Sequence, residues 1–200
     1  MRSYRIPLLG GPEIDWAAVE PARVDRYPWG GAYRPETALR AAVLDGKGIA
    51  FRGECREENP LALRHNFYDE VFRDSCIEVF FGTESGGPYL NCEMNANGAA
   101  RIGFGRGKEG RVPVSEFITP PNVGAVRGDG RWSVEVFFSL AALEAVFGHA
   151  VGLTRGARLW GNFFKCGRDC DPPHFGTWNP VTSDVPSFHR PDCFGEWIVG

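Results

Sequence analysis

The clearest patterning lies between Val71 and Gly98, where two runs alternate apolar and polar positions with a period of two. In the first, Ile77, Val79 and Phe81 alternate with Cys76, Glu78 and Phe80; in the second, Leu90, Cys92 and Met94 alternate with Asn91, Glu93 and Asn95. Successive side chains of a strand point to opposite faces, so both runs predict pleated strands with an apolar face turned to a core. The other face then lines up Glu78, Asn91, Glu93 and Asn95. Two readings of that face are open: the solvated outer side of an antiparallel sheet, or a field of hydrogen-bonding groups that grips a polyhydroxylated molecule.

The same logic extends along the chain. Residues 38–44 and 49–55 flank Asp45-Gly46-Lys47-Gly48, a tight-turn signal, and read as a hairpin with Arg52 and Glu54 on one face and Ile49, Phe51 and Cys55 on the other. A second hairpin joins 123–126 to 131–138 and puts Trp132, Val134, Val136 and Phe138 on one face. Ser139 then caps Leu140 to Phe147, the one segment with helical spacing, closed by Gly148. Residues 159–166 and 194–199 read as further strands. Residues 1–31 read as irregular, with Trp16 and Trp29 plugging an end of the core. The polar loop 56–70 leads to Phe72, and Asn66, Tyr68, Asp69 and Asp74 around it suit a ligand edge or a bound cation. Strands follow strands without intervening helices, so the prediction is an all-β chain, an antiparallel β-sandwich with one short helix, forming a single domain over residues 1–200.

Composition sharpens this picture in three places. The 26 Gly and 15 Pro fall between short apolar runs, as the turns of an all-β domain require. A net charge of −3 without charge blocks leaves no basic footprint, which argues against a nucleic-acid or membrane-surface partner. The six cysteines are widely spaced in a chain long enough to build a core without staples. The N-terminal MRSYRIPLLGGPEIDW has no apolar run of signal-peptide type, so the chain as written reads as cytoplasmic unless a leader was removed.

Several chemistries are open to the polar residues. Glu78, Glu93, His174 and His189 include the carboxylate pairs that glycosidases use. Cys166, Cys170 and His174 follow at four-residue intervals and invite a zinc reading, with His189 or Cys193 as a fourth ligand, against the commoner buried thiol. Trp178, in a Pro-flanked loop, is either a lid on the core or a platform for a ligand. Lys165 is either a ligand contact or the ion-pair partner of Glu78 or Glu93. Arg101 and Arg111 are open in the same way, with solvated surface the favoured reading.

The segments DSCIEVFF (74–81), YLNCEMNANGA (89–99), GNFFKCG (161–167), PHFGTWNP (173–180) and FHRPDCFGE (188–196) together resemble the family 9 carbohydrate-binding modules, in particular the stand-alone family-9-like carbohydrate-binding proteins of bacteria. The order holds over nearly the whole chain and is vaguest before Ala32. The resemblance implies a DOMON-like β-sandwich that binds a saccharide without catalysis, held between two aromatic side chains, with Ca2+ as a structural feature in some members and a polysaccharide-degrading enzyme in trans as a partner. It places the first aromatic at Phe72, where better-known modules carry Trp, the carboxylate at Glu78, and the second aromatic at Trp178. Phe offers a pyranose less contact area than an indole. The expected ligand-binding set is Phe72, Glu78, Asn91, Asn95, Lys165, His174 and Trp178. The resemblance also leaves a haem-binding alternative, in which Met and His would ligate iron, although Met94 falls on the predicted core face.

Overall fold

The computed structural model describes all 200 residues, Met1–Gly200. In chain order the elements are β1 (Ser3–Ile6), β2 (Leu8–Leu9), β3 (Ala22–Val24), β4 (Arg26–Gly30), β5 (Thr37–Leu44), β6 (Gly48–Arg56), β7 (Ser75–Gly82), β8 (Tyr89–Asn95), β9 (Ala100–Gly105), β10 (Val112–Pro113), β11 (Val123–Gly128), β12 (Arg131–Ser139), α1 (Leu140–Phe147), β13 (Arg158–Gly167), β14 (His174–Thr177) and β15 (Gly195–Val199).

They form two sheets. A nine-stranded sheet runs β1-β15-β13-β7-β8-β9-β10, and β14 pairs with the second half of β13 while also holding β4. A six-stranded sheet runs β11-β12-β6-β5-β2, with β3 also on β5. Pairing is antiparallel except where β1 lies parallel to β15 and β2 parallel to β5. Both expected hairpins form, and Ser139 Oγ accepts from the Ala142 amide at the start of α1 while Gly148 closes it in the left-handed conformation.

The alternating apolar positions meet between the sheets. Ile77, Val79, Phe81, Leu90, Cys92 and Met94 from the larger sheet pack on Leu39, Phe51, Trp132, Val134, Val136 and Phe138 from the smaller one. Trp197 stacks on Phe163 at 4.5 Å between ring centroids and on Phe81 at 6.2 Å. The N-terminal 31 residues depart from expectation: β1 to β4 are regular edge strands rather than irregular chain. They run for only two to five residues, over which the alternation of β1 (Ser-Tyr-Arg-Ile) is too brief to stand out, and each pairs with a strand distant in sequence. Trp16 is half-buried on a turn, and Trp29 packs against Phe188 outside the inter-sheet core, its indole N–H donating to the Ser183 carbonyl at 2.7 Å.

A second apolar cluster covers the outer face of the larger sheet. Phe80, Tyr89 and Phe164 point away from the main core and are roofed by Phe188 and Phe194 of the 180–194 segment. Phe164 and Phe188 stack at 4.2 Å, and Tyr89 meets Phe194 edge-on at 5.1 Å. Neighbouring Asn side chains pin the segment: Asn162 donates to the Asn179 carbonyl and accepts from the Asn179 amide, and Asn179 donates to the Cys193 carbonyl. This roof is incomplete, and the gap it leaves is the cleft described next.

Candidate functional site

Strand register places Phe164, Glu78, Glu93 and Arg101 side by side across β13, β7, β8 and β9. All four belong to the outward row of their strands, so the floor of the cleft grades from an aromatic ring through two carboxyls to a guanidinium. Asn91 lies one outward position along β8 from Glu93. Phe72, on a short 3-10 turn (Val71–Arg73), and Phe175 on β14 contribute half-buried rings to the walls, and residues 185–189 close another side. The cleft holds about 720 Å³, the size of a small-ligand site. Phe72 is held by its main chain, whose carbonyl accepts from the Cys166 thiol and the Arg168 amide.

The floor is electrostatically tense. Glu78 and Glu93 are 2% and 4% exposed and directly opposed across two strands. Burial, and then the neighbouring Glu93 charge, push the Glu78 carboxyl well above the usual range. Burial raises Glu93 to about 7, against the opposing pull of Arg101, Asn91 and Arg111. Arg111 donates to Asn91 Oδ1 at 2.6 Å and to the carbonyls of Tyr89, Gly103 and Gly107; Asn91 in turn donates to Glu93 Oε1 at 2.8 Å. The relay ends there: Glu93 Oε2 is buried and has no hydrogen-bond partner. Its inventory of lone pairs is incomplete at a cost of about 1–3 kcal/mol. At the rim, Tyr68 holds the left-handed conformation at φ 69°, which a bulky residue adopts only under local constraint. That constraint is visible: its amide donates to the Ala100 carbonyl, its carbonyl accepts from Arg101, and the Arg101 guanidinium lies 4.0 Å above its ring.

Of the expected ligand-binding residues, Phe72, Glu78 and Asn91 meet in this cleft and four do not. Trp178 lies in the inter-sheet core at 5% exposure, edge-on to Tyr4 and Phe163, its amide tied to the Phe163 carbonyl. Its indole crosses Gly195, where a side chain would stand 2.4 Å from the ring. Asn95 is consumed internally, donating to Asp74 and the Arg64 carbonyl and accepting from the Asn97 and Ala99 amides. Lys165 and His174 point between the sheets. The Lys165 ammonium, fully buried, meets Ser75 Oγ, the Cys166 carbonyl and His174 Nε2 at 2.6–2.9 Å, and Glu57 rather than Glu78 or Glu93 is its carboxylate, at 3.7 Å. The zinc reading fails for the same geometric reason, since Cys166 and His174 leave opposite faces of the sheet. No three His, Cys, Asp or Glu side chains gather as a metal site, and Asp74, expected near a cation, accepts from Leu63, Arg64 and Asn95 instead.

The cleft residue missed by sequence reasoning is Phe175; Glu93 was placed on the polar face but left out of the expected ligand-binding set, as were Arg101 and Arg111, favoured as solvated surface. Arg111 is not solvated surface but a half-buried clamp on four carbonyls and Asn91. A signal existed for Phe175: read as a strand, His174-Phe175-Gly176-Thr177-Trp178 puts Phe175 and Trp178 on opposite faces, so only one of the two rings reaches the cleft. Gly167 supports that strand, because the His174 ring lies 2.3 Å from where its Cβ would be.

Comparison with known proteins places this geometry. A protein from Bacteroides uniformis for which carbohydrate binding has been suggested superposes with a TM-score of 0.84 at 25% identity, covering 100% of this chain and 99% of its own. A family 9 carbohydrate-binding module from Caldicellulosiruptor kristjanssonii, in complex with glucose, shares the fold at a TM-score of 0.72 and 11% identity, covering 100% of this chain and 96% of that one. Its complex with cellotriose gives 0.70 and 11% over 99% and 93%. No protein of curated function matches the chain. The model of carbohydrate-binding family 9 matches residues 8–199, and the chain belongs to that family.

Proposed function

We propose that this protein is one carbohydrate-binding module spanning residues 1–200, which holds a mono- or oligosaccharide in the cleft above Glu78 and Glu93 without cleaving it. A pyranose presents an apolar C–H face and a rim of hydroxyls. Phe72 and Phe175 supply apolar surface for the first, and the carboxyl and amide floor meets the second. The observation that carries the reading is the lining of the cleft: the half-buried rings of Phe72 and Phe175 wall a floor of Glu78, Asn91 and Glu93. Glu78, whose carboxyl burial pushes above its ordinary range, shares the floor, and Asn91 is presented in a fixed orientation by Arg111.

The arrangement of the carboxyls supports binding over hydrolysis. A glycosidase sets its two acids on either side of the scissile bond, whereas Glu78 and Glu93 rise side by side from adjacent strands of one floor. Titration calorimetry with glucose and cellotriose tests the reading. Phe175→Ala and Glu93→Gln are each expected to weaken binding by about tenfold or more, as the loss of a stacking surface or a buried acceptor would, with no reducing sugar released from xylan or cellulose. Unchanged affinity in both variants would remove the site.

A further inference from the structure

Resting on that saccharide reading, the distribution of cations around the cleft says what kind of saccharide fits. Arg101, Lys108, Arg111 and Arg168 all line it. None of the four forms an ion pair with a carboxylate, although nine other arginines of the chain do. Against them stand Glu70, Glu78 and Glu93. Glu70 is neutralised locally by Arg73 at 2.8 Å. Glu78 and Glu93, opposed and desolvated, do not both ionise readily. The cleft therefore carries a surplus of positive charge on a chain whose net charge is −3.

The surplus is also ordered in space. Arg101 sits on β9 beside Glu93, and Lys108 and Arg111 belong to the segment that joins β9 to β10, so three of the four cations gather on the side away from Phe175. Arg111 spends its donors on carbonyls and Asn91. Arg101 gives the Tyr68 carbonyl one bond, and Lys108 is exposed at the rim with no partner. A neutral sugar leaves these charges solvated. An anionic substituent on the ring would meet them with charge-assisted hydrogen bonds, which are roughly twice as strong as neutral ones.

We propose that the preferred ligand is an acidic saccharide, a uronic acid or a uronate-bearing oligosaccharide, whose carboxylate lies toward Arg101 and Lys108 while its hydroxyls meet the Glu78–Glu93 floor. Calorimetry compares glucose with glucuronate, and galactose with galacturonate, at low and high sodium chloride. The acid is expected to bind about tenfold more tightly than its neutral counterpart at low salt, with the ratio falling toward unity as salt screens the contact. In Lys108→Glu the ratio of acid to neutral affinity collapses. Equal affinity for acid and neutral sugars at low salt, or a ratio that Lys108→Glu does not move, overturns the proposal and leaves the saccharide site standing. Binding of neither class would overturn both.

Discussion

This protein holds two polar clusters in one sandwich, and they differ in whether they satisfy themselves. Between the sheets, Glu57, Lys165, His174, Ser75 and Trp132 form a closed set. Glu57 Oε2 accepts from the Ser75 hydroxyl and from Trp132 Nε1 at 3.0 Å, and the Lys165 ammonium is surrounded by acceptors. Burial pulls the Glu57 carboxyl up, but Lys165, Ser75 and Trp132 outweigh it and hold it below its ordinary value. On the outer face, Glu78, Glu93, Asn91 and Arg111 form an open set, with raised carboxyls and one oxygen unmatched. Burial of polar groups thus has opposite meanings in the two. A cluster that satisfies itself is structure; one that lines a cleft and keeps a buried oxygen unmatched has hydrogen-bonding capacity to spare.

The largest effects should come from the closed cluster. Lys165→Met strips a buried carboxylate of its cation and is expected to cost ~3–5 kcal/mol in urea unfolding, while Glu57→Gln added to it restores part of the loss, because a whole pair is cheaper to remove than half of one. No recovery in the double variant would mean the two residues are not energetically paired. Next, Trp178→Ala should destabilise the fold by ~3–5 kcal/mol, the cost of emptying a core aromatic site, with saccharide affinity preserved in the folded fraction. Phe175→Ala should do the reverse. If Trp178→Ala alone abolished binding in a folded protein, the division between core and cleft would fail.

A subtler contrast lies in pH. Glu93 titrates at about 7 in the folded state against an ordinary 4.5, so the folded protein binds more protons than the unfolded one in that window and stability falls as pH rises through it. His174 is lowered from 6.5 to about 4, by burial first and the Lys165 charge second, so its contribution rises with pH over 4–6.5. His189, pushed to about 3 by burial and by Arg111, acts in the same direction as His174. The two signs oppose each other in the parent protein. Glu93→Gln should separate them: its stability relative to the parent grows as pH is raised from about 4.5 to about 7, read as the difference in urea midpoints. A difference that is flat with pH would show that Glu93 is ionised throughout.

How much of this was legible beforehand depends on how many neighbours an assignment required. Strand faces in 76–81 and 90–95 needed only the period of the pleat, and Glu78 and Asn91 were located by it. Lys165 was misplaced on the outer face because Phe163 and Phe164 give both faces of β13 an apolar ring, so alternation alone does not say which side is core. Trp178 was misplaced because its Pro-flanked surroundings disguised a strand, and because the resemblance that marked an aromatic there was read one face out of phase with Phe175.

The amino-acid sequence by itself therefore determined the strands, the helix and its caps, the family, and a polar face on the larger sheet, all of which follow from periodicities and motifs carried within a few residues. Only the tertiary structure decided that this face is roofed by Phe188 and Phe194, that Arg111 serves Asn91 while Lys165 serves Glu57, and that one oxygen of Glu93 goes unmatched. Those outcomes depend on which distant segments arrive at a given carboxyl. Satisfaction of a buried polar atom is a property of its full three-dimensional shell, which no local pattern encodes.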